Sequence, residues 1–225
     1  LEMRAELGTC DWRGHSDTET LLVCFARWGV KATVERAVGM FAFALWDRQT
    51  RTLTLGRDRL GEKPLYYGWH GDAFLFSSEL KAMEACPGFL PQINRDALAL
   101  YLRHSVIPTP YSIWQGIAKL EPGCIVTLDW QAVTQAQTPE AQAYWSLSEV
   151  ARAGHANPLD VCDAQAIQLL DQTITTAVGG QLLADVPLGA FLSGGIDSSL
   201  IVSMMQKQSA QPVKTFSIGF DVPGF

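Results

Sequence analysis

The sequence predicts two architectures in series: an α+β part over residues 1–150, then over residues 151–225 the start of an α/β part built on a parallel sheet. Three observations carry this. Apolar stretches of strand length, separated by tight turns, crowd residues 40–76. Residues 131–165 turn polar, with breaks at Pro139 and at Ala156-Asn157-Pro158, which places the boundary near 150–160. Beyond Ala164 the apolar period becomes helical. Strand, glycine-rich turn, helix and strand then follow at the length of one βαβ unit.

Taken in order, Leu1 to Leu7 is charged and helical in character. Ser16-Asp17-Thr18-Glu19 fits a capping box, and Leu21, Leu22, Phe25 and Trp28 repeat at helical spacing up to a stop at Gly29. In Met40 to Trp46 bulky and small residues alternate, as in a strand packed on both faces. Asp47 to Thr50 is turn material, and Thr52 to Leu55 returns as a strand. Leu65 to Trp69 and Ala73 to Phe76 read as a hairpin around His70-Gly71-Asp72. Ser77 or Ser78 caps a short helix to Glu84. Arg95 to His104 is a helix with Leu98, Tyr101 and Leu102 on one face, and Ile125 to Leu128 is a strand. The charged connection Arg57 to Tyr67 reads as a solvated loop in which Arg57 and Asp58 pair locally. Ile167, Leu170, Ile174 and Val178 share a helical face. Val186 to Leu192 and Lys214 to Phe220 read as buried parallel strands.

Composition bounds the function. With 48% hydrophobic and 18% charged residues the chain is globular rather than disordered. A net charge of −6 argues against a nucleic-acid surface. No apolar run approaches membrane-spanning length. The five cysteines are scattered and never spaced C-x-x-C, which points to free thiols in a reducing cytoplasm. The four histidines are isolated, so no metal cluster is expected. The chain opens in what reads as mid-helix without a methionine and stops at Gly224-Phe225, so both ends look cut.

The chemistry lies in Ser193-Gly194-Gly195-Ile196-Asp197-Ser198-Ser199, between a strand and the helix from Leu200 to Lys207. That arrangement offers bare backbone N–H groups to an anion, and two glycines let a phosphate approach without meeting a Cβ. Ser198 and Ser199 cap the helix or donate to the same phosphate. A carboxylate beside a phosphate repels it unless a cation lies between, so Asp197 points to Mg²⁺ shared with the nucleotide. A helix terminus contributes only about 0.3–1 kcal/mol, whereas micromolar binding needs about 8 kcal/mol. The N–H bonds, the hydroxyls, the metal and a base pocket must supply the rest. There is no G-x-x-x-x-G-K-[ST] and no G-x-G-x-x-G, and Phe191 occupies the first glycine position of an esterase elbow.

The run S-G-G-I-D-S-S resembles the pyrophosphate loop (PP-loop) of ATP pyrophosphatases, which adenylate a substrate and release pyrophosphate. Upstream, Ser16 to Glu19, Gly39 to Leu45, Arg57 to Tyr67, Phe76 to Ala82, Pro108-Thr109-Pro110 with Ile113, and Gly116 to Gly123 resemble glutamine-hydrolysing asparagine synthetase. The resemblance covers essentially the whole chain and weakens in the linker. It implies an incomplete αββα Ntn-hydrolase-like glutaminase (class II amidotransferase) domain over 1–150 and the start of an ATP-dependent synthetase domain over 151–225. The implied substrates are glutamine, ATP and aspartate, with Mg²⁺ as cofactor and asparagine, AMP, pyrophosphate and glutamate as products. The implied setting is cytoplasmic, without nucleic acid or membrane, and a homodimer stays open.

Residue by residue, the resemblance assigns Asp17 to the amino group of bound glutamine, where the sequence alone reads a first-turn carboxylate facing the helix dipole. It assigns Ser193, Gly194, Gly195, Asp197 and Ser198 to pyrophosphate and its Mg²⁺, and Phe191 and Ile218 to adenosine. The family more often has leucine at the Phe191 position. Its nucleophile is an N-terminal cysteine, expected upstream of Leu1, so no catalytic residue is assigned within the chain. Two other readings stand beside this one: a relative, such as a β-lactam synthetase, that activates another carboxylate, and a non-catalytic scaffold. On the first reading the isolated 225-residue chain neither hydrolyses glutamine nor makes asparagine. A coupled assay for ammonia release from glutamine should therefore stay at background, and measurable turnover would contradict the expectation.

Overall fold

In the computed structural model, which describes residues 2–184 and 186–219, strand alternation builds two antiparallel sheets around one core. The first sheet has the order β1 (Ala42–Asp47), β2 (Thr52–Arg57), β6 (Cys124–Asp129), β7 (Gln142–Ala143). The second has the order β4 (Ala73–Ser77), β3 (Tyr66–His70), β5 (Ile117–Lys119). Leu55 of β2, Cys124 and Val126 of β6, Tyr67 of β3, and the flanking Leu65 and Leu120 form one buried cluster, so the core lies between the sheets. Because alternate residues face opposite sides, Phe43 of β1 points away from that core. It packs on Phe25 of α2 (Asp17–Trp28) with ring centroids 4.9 Å apart. On the outer side of the second sheet, Met83 of α4 (Leu80–Glu84) packs with Phe89 and Ile117.

The β3–β5 pairing demands a glycine. Gly68 has φ +157°, and a Cβ there would lie 1.9 Å from the Gly116 carbonyl oxygen.

The other helices are α1 (Glu2–Leu7), α3 (Val30–Arg36), α5 (Arg95–His104), α6 (Trp130–Thr134), α7 (Leu147–Ala156), α8 (Asp163–Gln181) and α9 (Ile196–Gln208). The chain divides into two compact units, the first ending at Ala156 and the second beginning at Asn157. Helix α7 spans residue 150, where the sequence places the end of the first part. In the second unit β8 (Gly189–Phe191) and β9 (Lys214–Phe216) pair in parallel. None of the described helices is long and apolar enough to cross a membrane.

Several expectations are corrected. Ser16 does cap α2, accepting the Glu19 N–H at 3.1 Å. The Glu19 carboxylate does not close the box, however; it reaches back to the N–H groups of Arg13 (2.7 Å) and Gly14 (2.9 Å). Neither Ser77 nor Ser78 caps α4, whose N-cap is Glu79; Ser77 donates to the Glu79 carbonyl instead. On α5 Leu98, Tyr101 and Leu102 do share a face, but Leu98 is only half-buried and Tyr101 and Leu102 are exposed, while Ala97 is the buried residue. Val178 is buried on α8, but Ile167 and Leu170 are exposed. Strands β8 and β9 are short and exposed rather than buried, since among the described residues they form a sheet of only two. Leu1, Asp185 and Phe220, together with the end at Gly224-Phe225, lie outside the described residues. Helices α3, α6 and α7 and strands β5 and β7 were not foreseen; the short strands carry too few residues to show a period.

The largest correction is the connection after β2. Arg57 and Asp58 are 9% and 1% exposed, and they do not pair with each other. The Asp58 carboxylate accepts from four backbone N–H groups: Leu60 and Glu62 on Oδ1, Phe41 and Lys63 on Oδ2. Arg57 donates to the carbonyls of Gly61 (2.6 Å), Lys63 (2.8 Å) and Leu120 (2.6 Å). Burial pulls its guanidinium below the ordinary value, and the charge of Asp58 opposes that shift. Hydrogen bonds to a buried charge contribute about 1.5–3 kcal/mol each, and orphaned buried donors carry a further penalty. Asp58→Ala should therefore destabilise the chain by at least about 3 kcal/mol, and Asp58→Asn by less, because its amide keeps one acceptor oxygen. Urea midpoints followed by tryptophan fluorescence check the order; an Asp58→Ala midpoint equal to the parent's would contradict the clamp.

Candidate functional site

The residues singled out by the sequence fall in two separate places, one in each unit. In the second unit β8 ends at Phe191, and Leu192 still extends the pairing by donating its N–H to the Phe216 carbonyl at 2.8 Å. Ser217 Oγ donates to the Leu192 carbonyl at 2.7 Å, which ties the loop entrance to the strand beside it. The chain then turns through Gly194 at φ +79° and Gly195 at φ −77°, and α9 begins at Ile196. The N-cap Gly195 has no side chain to cap the helix, and its carbonyl instead takes the hydroxyls of Ser198 (3.1 Å) and Ser199 (2.8 Å). Ser193 and Ser198 lie within hydrogen-bonding distance of each other, 3.0 Å between hydroxyls.

Two consequences follow. The N–H groups from Gly194 to Ser198 donate to no acceptor among the described residues, while Ser199 N–H makes the first helical bond to Gly195. The turn is also open: Ser193 to Asp197 are exposed, and no heavy atom lies within 4 Å of a Cβ placed on Gly194. A helix start with unpaired donors and no capping side chain attracts a negative oxygen. The Asp197 carboxylate makes no hydrogen bond or ion pair among the described residues, so it stays available to a cation. Phe191 and Ile218 flank the turn and are 73% and 75% exposed. The expected residues of this loop thus share one open strand-to-helix turn, and β9 runs beside it.

In the first unit, a groove of about 400 Å³ runs between α2 and β1. Asp17, Leu21, Met40, Phe41, Lys63 and Ser78 are among its lining residues. Asp17 lies on the first turn of α2, is exposed, and accepts the N–H of Thr18 at 2.7 Å through one oxygen. Glu19, two residues on, is held by the Arg13 and Gly14 N–H groups, and the former chiefly keeps its carboxyl below the usual range. Lys63 entered the groove unforeseen, because its position depends on Asp58 holding its N–H; only its place in the Arg57–Tyr67 run offered a signal. Among the described residues no group of three or more His, Cys, Asp or Glu residues could hold a metal ion.

Comparison with known proteins finds a separate match for a stretch of each unit. Residues 1–145 match the family described as glutamine amidotransferase domain, and residues 169–225 match the one described as asparagine synthase. Asparagine synthetase (glutamine-hydrolyzing) 3 of Bacillus subtilis strain 168 is 33% identical over 230 residues, covering 98% of this chain and 35% of that protein. Its asparagine synthetase (glutamine-hydrolyzing) 1 is 32% identical over 227 residues, 100% of this chain and 34% of that protein. A Methanocaldococcus jannaschii protein under the provisional name of asparagine synthetase (glutamine-hydrolyzing) 2 is 36% identical over 211 residues, 92% of this chain and 38% of its own length. The chain thus spans about a third of the length of these relatives.

The φ of +79° at Gly194 favours glycine, and the space around it is empty. Gly194→Ala should therefore cost about 1–2 kcal/mol through left-handed strain alone. A thermal unfolding curve superimposable on the parent's would show that the turn relaxes instead.

Proposed function

The chain belongs to the glutamine amidotransferase domain family, and on that premise we propose that it is part of a glutamine-dependent asparagine synthetase. In this reading residues 1–156 are the glutaminase part and residues 157–225 begin the ATP-dependent synthetase part. The sandwich of two sheets between α2 and α4 supports the αββα reading of the first, and the β8–turn–α9–β9 unit supports the PP-loop reading of the second.

The observation that carries the proposal is the open S-G-G-x-D-S-S turn with its unpaired N–H groups. A carboxylate is a poor electrophile. Its oxygen attacks the α-phosphorus of ATP, pyrophosphate leaves, and ammonia then attacks the acyl carbon and releases AMP. The turn's part is to hold the leaving pyrophosphate. The N–H groups of Gly194 to Ser198 donate to its oxygens, the hydroxyls of Ser193 and Ser198 join them by turning away from each other and from the Gly195 carbonyl, and Phe191 and Ile218 offer apolar surface to the adenosine. Asp197 would hold Mg²⁺, which offsets the negative charge that builds on the leaving group. In the first unit Asp17 would receive the glutamine ammonium; its bond from Thr18 N–H and its position lining the groove support this. Aspartate as the acceptor rests on the relatives' names and on the Arg57–Tyr67 run that the sequence shares with that family.

Titration calorimetry of the intact chain with ATP tests this. Binding should be tighter with Mg²⁺ than with EDTA. Asp197→Ala should lose at least about fivefold in Mg²⁺, the worth of about 1 kcal/mol, and in EDTA bind at least as tightly as the parent, because without the metal the carboxylate only repels the phosphates. Equal affinity of the two chains in Mg²⁺ would favour a scaffold that keeps the fold without the chemistry.

A further inference from the structure

A second cavity in the first unit, about 270 Å³, shares no lining residue with the Asp17 groove. Two cationic side chains, Arg57 and Lys119, line it together with Tyr66, and Leu65, Val106 and Ile107 supply apolar wall. No carboxylate lines it. Asp58, next to Arg57 in the chain, gives its carboxylate to four backbone N–H groups, and Glu121 makes no ion pair among the described residues. Asp58 acts on Arg57 by its charge alone, and neither cation has a carboxylate hydrogen-bonded to it or lining the cavity beside it.

The walls are fixed from several directions. Arg57 is anchored on the carbonyls of Gly61, Lys63 and Leu120, and each of those bonds uses one N–H of a guanidinium that carries five. Lys119 holds the 106–110 segment twice, through its Nζ to the Ile107 carbonyl and through its backbone N–H to the Pro110 carbonyl at 2.8 Å. Both side chains keep donors to spare, and neither depends on a ligand for its position. Burial, and secondly the charge of Arg57, pull the Lys119 ammonium below its ordinary value, which agrees with uncompensated positive charge at this place.

We propose that this cavity is an anion site that takes a small carboxylate with an apolar body, its oxygens between Lys119 and Arg57 and its body against Leu65, Val106 and Ile107. The site does not depend on the assignment of the nucleotide turn. The probe is sodium benzoate, with neutral benzamide of the same shape as its partner, titrated calorimetrically into the intact chain at fixed ionic strength. Benzoate should bind at least about tenfold more tightly than benzamide. Lys119→Met, which keeps the stem and removes the charge, should weaken benzoate about tenfold, and Lys119→Arg should restore most of the affinity. Val106→Trp, at a half-exposed rim position, should abolish binding by filling the cavity, and it keeps the test intact should Lys119→Met fail to fold. No benzoate binding, benzamide binding equally well, or benzoate affinity unchanged in a folded Lys119→Met or Val106→Trp chain would each overturn the proposal.

Discussion

Asp58 is the constraint on which the first unit depends. A carboxylate almost fully out of water must find hydrogen-bond donors, and this one takes backbone N–H groups from both sides of the β2 exit. Its own backbone adds more: its N–H donates to the Phe41 carbonyl, and its carbonyl accepts from Gly61 and Gly123. One residue therefore ties the entry to β1, the loop over residues 59–63 and the turn into β6. Arg57 completes the hub from the opposite charge, and Tyr144 donates its hydroxyl to the Arg57 carbonyl at 2.8 Å, with burial pushing that phenol far above its ordinary value.

That hub links fold to function. Because Asp58 fixes the N–H groups of Phe41 and Lys63, it fixes two residues that line the groove shared with Asp17. Because Arg57 is anchored on the loop and on Leu120, it stands at the wall of the second cavity beside Lys119. Both of these cavities are thus framed by a network whose members bond carbonyls and amides of the protein itself.

The second unit uses the opposite arrangement. At residues 194–198 the backbone N–H groups are left unpaired and exposed, and the serine hydroxyls fold back on the Gly195 carbonyl. An unpaired donor in water costs little, since water satisfies it. Donors left free in this way suit an incoming anion, whereas a buried carboxylate must have its donors supplied by the protein.

The sequence by itself determined what depends on neighbours along the chain: the hairpins around Asp47 to Thr50 and Gly71, the Ser16 cap, the α5 span, and the order strand, turn, helix, strand around residues 189–216. It also gathered the residues of the turn at 193–199, because a strand-to-helix turn is a local object whose donors come from consecutive residues. Only the tertiary structure decided that Arg57 and Asp58 are buried and that Glu19 answers Arg13 and Gly14 rather than Ser16. It alone placed Ala97 rather than Tyr101 inward, and set Asp17 in a common groove with Lys63 and Ser78. The reason is the same in each case. A charged residue in a loop reads as solvated unless its partners are known, and the partners of Asp58 and Arg57 lie as far away as Phe41 and Leu120, brought near only when the two sheets close on Leu55 and Val126.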